Sequence, residues 1–162
     1  MVNKQIVLGG KSVERRELVD SNGVLMGVLE YDPGDAGVLS RYPEFESKVN
    51  SPELTQKIEQ IDELRANGVR ENAETIAQLM YEIEEEIASA MDVLLNIDSR
   101  KTCFSIKRPL WIHRIETDDG VDEAYWFQRI MVAVTNIVRE FNEKRIAANI
   151  AKINAATVGD NR

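Results

Sequence analysis

The chain has 162 residues, 43% of them apolar and 30% charged, with a net charge of −8; that is enough for one domain with a real core and too apolar for disorder. No apolar run approaches the roughly 20 residues of a membrane span. The first apolar segment is too short for a signal peptide, and the single cysteine, Cys103, excludes an internal disulfide, so the expectation is a cytoplasmic protein with no membrane partner.

Charge is unevenly placed. Residues 1–52 carry a net −2, residues 53–98 carry −9 and residues 99–162 carry +3. The acidic middle would repel phosphates, which argues against nucleic acid. A solvated helix face or a basic partner suits it better.

Residues 1–33 read as a β-rich start. Segments 13–19 and 24–31 flank Asp20-Ser21-Asn22-Gly23, and Asn22-Gly23 is a strong hairpin signal because both residues tolerate positive φ. On the second arm both faces are largely apolar, which predicts a strand covered on both sides. Gln5 to Leu8 is a candidate third strand. Pro33-Gly34 fits the corner of a type II turn, with Asp35 capping the next helix.

Residues 35–98 read as acidic helices. Val38, Leu39, Tyr42, Phe45 and Val49 fall at helical spacing, with a break expected near Tyr42 because Pro43 follows it. Ser51 is an N-cap with Pro52 at the first helical position. Leu54, Ile58, Ile61 and Leu64 form one face, and Asn67-Gly68 ends that helix. The longest amphipathic stripe, from about Asn72 to Asp98, carries Ile76, Ile83, Ile87, Met91 and Leu94 opposite Glu82, Glu84, Glu85 and Glu86. Residues 99–120 read as an irregular linker. Residues 121–156 read as a long C-terminal helix of roughly 50 Å at 1.5 Å per residue. Its first half is rich in large apolar side chains, while its second half keeps only Ile146, Ile150 and Ile153. The fold class expected is α+β, mostly α: an N-terminal hairpin or small sheet, then an amphipathic helical bundle closed by a long helix, all in one domain over 1–162.

No residue pattern points to catalysis. Asp32 and Asp35 lack the alternating oxygens and distal glutamate of a calcium loop. Val38-Leu39 stands where a phosphate-binding loop needs Lys-Ser/Thr. His113 is the only histidine, so a His-rich metal site is excluded, and the glutamate run lacks the Glu-x-x-His of carboxylate-bridged metal bundles. Cys103 and His113 could form a thiol and base, but Cys103 lies among apolar neighbours, as a packing cysteine does. Trp111 and Trp126 suit a core or interface anchor more than a ligand platform. No catalytic residue, metal or cofactor is expected. The partner-binding candidates are Trp126, Phe127, Ile146, Ile150 and Ile153; the three isoleucines repeat at four and three, as in a coiled coil.

The order of these segments resembles the small tail assembly chaperones of long-tailed phages of Gram-positive bacteria. A strand-like start leads into Asp32-Pro33-Gly34-Asp35-Ala36 and Arg41-Tyr42, then acidic helices, then a helix that runs out into a charged, Ala/Asn-rich tail. The segment Ser105 to Gly120 is longer and more aromatic than the Gly-rich linker such chaperones carry. The resemblance implies a non-catalytic protein that shields an apolar, helical tape measure protein, contacts tail-tube subunits and forms homo-oligomers. A structural tail or neck subunit, or a helical oligomeric scaffold, is the competing expectation. A small acidic modulator of host machinery with a hidden site is a third.

Overall fold

The computed structural model describes residues 13–160. The chain is α+β and mostly α. Strands β1 (Glu14–Val19) and β2 (Leu25–Tyr31) form an antiparallel hairpin. Helices α1 (Val38–Val49), α2 (Pro52–Ala66) and α3 (Val69–Leu95) follow. After a short 3-10 turn at Ser99–Lys101 comes a second hairpin, β3 (Ile112–Thr117) and β4 (Gly120–Tyr125). Helix α4 (Trp126–Asp160) ends the described chain. The candidate strand at residues 5–8 lies outside the described residues.

Local chemistry explains most boundaries. In the first turn Gly23 takes φ +78° while Asn22 does not, so one left-handed residue suffices. Asp20 Oδ1 accepts from the backbone N–H groups of Asn22 and Val24 at 2.8 and 2.9 Å. Ser51 Oγ accepts from the N–H of Leu54 at 3.2 Å with Pro52 opening α2, the expected cap and start. Gly68, at φ +125°, joins α2 directly to α3, which therefore begins at Val69 and not near Asn72. Asn96, at φ 53°, closes α3 in the left-handed conformation.

Two sequence expectations are corrected. Pro43 does not break α1, which runs unbroken from Val38 to Val49. The lost hydrogen bond is offset by burial of Val38, Phe45 and Val49 on one face. Residues 99–120 are not an irregular linker. They contain β3 and the start of β4, and α4 begins at Trp126, not Val121.

One apolar cluster joins β2, all four helices and residues 103–110. Helix α3 packs against α1 and α2, and α1 also meets α4. From α3 come Ile83, Ile87 and Leu94; from α4 come Ile130, Val134, Ile137 and Phe141. Strand β2 is buried on both faces from Met26 to Leu29, as its apolar run predicts. Its Gly27 lies so close to the Cys103 backbone that an added Cβ would sit 2.7 Å from the Cys103 carbonyl oxygen. The hairpin is clasped to α4 where Arg16 donates to both carboxylate oxygens of Glu140, at 2.9 and 2.6 Å. Tyr31 meets Phe141 edge-on beside it.

The segment after α3 is held by an ion pair. Arg108 Nε donates to Glu84 Oε2 at 3.0 Å, and Nη2 lies 2.9 Å from Oε1 without an aligned hydrogen bond. Glu84 is buried. Burial pushes its carboxyl above the usual range, although Arg108 pulls it down.

Gly27→Ala should destabilise the fold by about 1–3 kcal/mol in urea unfolding, because the new methyl meets backbone that cannot rotate aside. An unchanged midpoint would show that this contact has slack. Glu84 gives a pH signature. The folded state binds its proton more tightly than the unfolded chain, so this group's contribution is full at low pH and is lost as pH rises through the raised value. Glu84→Gln should therefore gain stability relative to the native chain as pH rises above about 4. A difference that runs the other way would mean that Arg108, not burial, dominates.

Candidate protein-binding surfaces

The Asp32–Gly37 stretch is a structural joint. The N–H of Asp35 donates to the carbonyl of Asp32 at 3.0 Å, across Pro33-Gly34. Gly34 does not adopt the positive φ of a type II turn, so that expectation is corrected. Asp35 is not the N-cap either. Gly37 holds that position, and Asp35 Oδ1 accepts from the Gly37 N–H at 3.0 Å while Oδ2 pairs with Arg41. Arg41 in turn donates from Nε and Nη2 to the carbonyl of Leu94, at 3.0 and 2.8 Å. A cation thus satisfies a free carbonyl at the C-terminal end of α3. Asp32 Oδ1 accepts from the Gly34 N–H at 2.8 Å.

Trp126 and Phe127 are both only 5% exposed, and their assignment as partner-binding residues is corrected. Long-range backbone bonds hold them inward. The Trp126 N–H donates to the carbonyl of Trp111 at 2.7 Å and the Phe127 N–H to that of Pro109 at 3.0 Å. These carbonyls satisfy the first free N–H groups of α4. Trp126 Nε1 donates to the Cys103 carbonyl at 3.0 Å. Trp111 meets Trp126 edge-on, His113 stacks on Trp111, and Lys107 Nζ lies 4.3 Å from the centre of the Trp111 ring.

This packing accounts for both candidate reactive groups. Burial pushes the Cys103 thiol up to about 12, and its Sγ faces the Ser99 carbonyl at 3.8 Å. A nucleophile needs the opposite shift. Burial, with the nearby Arg129 guanidinium, holds the His113 imidazole below its usual range. Among the described residues no cluster of three or more His, Cys, Asp or Glu side chains is arranged to hold a metal ion. No helix among them is long and apolar enough to cross a membrane.

Three surfaces remain. The first is a groove of about 850 Å³ between the two hairpins, with Val19, Val24, Leu25, Ile106, Ile112 and Ile115 exposed along it. The β3–β4 ribbon beside it is exposed on both faces over most of its length. Sequence reasoning missed this ribbon, although Thr117 pairs with Gly120 across the two-residue turn Asp118-Asp119. The second is a groove of about 620 Å³ where α1, α2 and α3 converge, floored by Val49, Leu54, Ile87 and Ala90 and edged by Glu53 and Glu86. Nothing in the sequence pattern marks it, because its walls come from three helices.

The third surface is the end of α4. Every residue from 142 to 159 is exposed, a projection of about 27 Å at 1.5 Å per residue. Ile146, Ile150 and Ile153 are 50%, 52% and 64% exposed. The core face of α4 ends at Phe141. At 3.6 residues per turn the three isoleucines lie roughly 150° around the helix from that face. The flank nearer the body carries Lys144, Arg145, Ala148 and Lys152, across a cleft from Leu39 and Ser40. The isoleucines therefore point away from their own domain.

Compared with known proteins, the chain matches no family model, no curated protein and no solved structure.

If the aspartates serve only the joint, about 10 mM calcium or magnesium, far above the dissociation constants of calcium sensors, should leave the melting temperature unchanged. Asp35→Ala should lower stability by about 1 kcal/mol through loss of the turn bond and the Arg41 pair. A metal-dependent rise abolished by Asp32→Asn would overturn the joint.

Proposed function

We propose that this protein is a non-catalytic assembly chaperone that binds an apolar helical partner. In the phage setting suggested by the sequence resemblance, that partner is the tape measure protein, held soluble in the host cytoplasm until the tail polymerises. One observation carries this reading: an 18-residue helical extension, residues 142–159, exposed along its whole length, with an isoleucine stripe turned away from the domain. A helix with little tertiary packing is marginal in water, and an apolar stripe facing solvent is what a helical partner covers. The net charge of −8 favours solubility of the complex.

A structural tail or neck subunit is the second reading, and the β3–β4 ribbon supports it. A two-stranded ribbon exposed on both faces is stable only marginally by itself, as an arm that reaches a neighbouring subunit would be. A chaperone should be missing from purified particles, whereas a structural subunit persists in them.

A chain ending at Phe141 keeps every buried residue of the core. It should unfold cooperatively, yet fail to keep a co-expressed tape measure protein in the soluble fraction. Full protection by the shortened chain would remove the extension from the mechanism.

A further inference from the structure

The outward face of α4 has a regular pattern upstream of the isoleucines. Val132, Asn136, Arg139, Glu143, Ile146, Ile150, Ile153 and Thr157 follow one another at alternating spacings of four and three. That is heptad spacing along one face, apolar at Val132, Ile146, Ile150 and Ile153 and polar between. All eight are exposed, and Val132 is 63% exposed although it lies in the half of α4 that packs on the core. From Val132 to Thr157 the seam runs about 37 Å at 1.5 Å per residue.

Charge on this seam selects its occupant. Arg139 and Glu143 occupy consecutive seam positions near its middle. A second copy laid parallel would set Arg139 against Arg139 and Glu143 against Glu143. A second copy laid antiparallel, with the two-fold axis level with Phe141, sets each Arg139 against the other copy's Glu143. The same register brings Val132 opposite the other Ile150 and Asn136 opposite the other Ile146. The core face of each α4 is turned away from this seam, so the two domains lie on opposite sides of the helix pair. Beside Ile146 and Ile150, Ala147 and Asn149 carry no charge, so they add no repulsion to the pair.

We propose that α4 pairs with α4 of a second copy, antiparallel, along residues 132–150, with reciprocal Arg139–Glu143 ion pairs at its centre. This rests on the reading of α4 as the adhesive element and puts a second copy of the chain on the face that the helical client would otherwise cover. The pairing gives one apolar Val132–Ile150 contact at each end, with Ile146 beside it against Asn136, and a charged middle. The middle sets register and direction more than strength.

The test uses the full chain in sedimentation and light scattering over a range of concentrations. The native protein should form a dimer that weakens as salt rises. Arg139→Glu alone and Glu143→Arg alone should each weaken it about tenfold or more, since both place like charges together. The double variant R139E/E143R should restore it, because the pairs are merely exchanged. Ile150→Ser should also weaken it while far-ultraviolet circular dichroism and urea unfolding stay native, since Ile150 touches no core residue. A native chain that stays monomeric at high concentration overturns the proposal. Single reversals without effect would mean a parallel pair and also overturn it. A double variant as weak as the singles does so too. A chain that dimerises in this way but does not protect a co-expressed tape measure protein would leave the dimer standing and remove the chaperone reading. A monomer that protects it would do the reverse.

Discussion

The backbone carbonyl of Cys103 is where the fold is joined. It accepts the indole N–H of Trp126, and the bare backbone of Gly27 lies against it. Strand β2, the segment after α3 and the start of α4 are therefore fixed by one buried atom. A buried carbonyl without a donor would cost free energy comparable to a lost hydrogen bond, and any side chain at position 27 would push the strand off. The carbonyls of Pro109 and Trp111 add two more bonds to the same end of α4. The helix direction is set there. Past the Arg16–Glu140 clasp it only borders the body across the cleft that holds Lys144 and Lys152.

That geometry divides α4 between two tasks. Up to Phe141 one face completes the core. Beyond it the apolar residues reappear on nearly the opposite face, and the basic residues Lys144 and Lys152 take the flank that borders the body. A terminus that was merely frayed would have no reason to change faces. The change suits a rod held rigidly at one end and presented to a partner on the other side. The β3–β4 ribbon leaves from the anchored end of the same helix, so the molecule's two projecting parts share one rigid mount.

Features dictated by neighbouring residues were legible in the sequence. Ser51-Pro52, Asn67-Gly68 and the two-sided strand from Met26 onward need only local bonds or their own composition. Features dictated across the chain were not. Pro43 reads as a break because the lost bond is local, whereas the burial of Phe45 and Val49 that outweighs it depends on α3 and α4. The β3–β4 ribbon stayed hidden because each of its faces mixes apolar, polar and charged residues, so no apolar periodicity marks it. Trp126 and Phe127 are as apolar as any interface anchor. Only the distant carbonyls of Cys103, Trp111 and Pro109 decide that they face inward. The isoleucines, by contrast, were readable as a stripe; their direction became clear only once Phe141 fixed the opposite face.

The solitary thiol has a use that follows from its address. Cys103 is fully buried and holds its proton far above neutral pH, so a thiol reagent reaches it only when the joint between β2 and α4 parts. The chain thus carries one built-in clock for that opening. Its labelling rate reports the population of molecules in which the joint is undone. Fraying of the projecting helix leaves that rate unchanged, because the joint lies at the other end of α4. Loosening of the domain and loss of the arm can therefore be timed separately, in the same unmodified molecule.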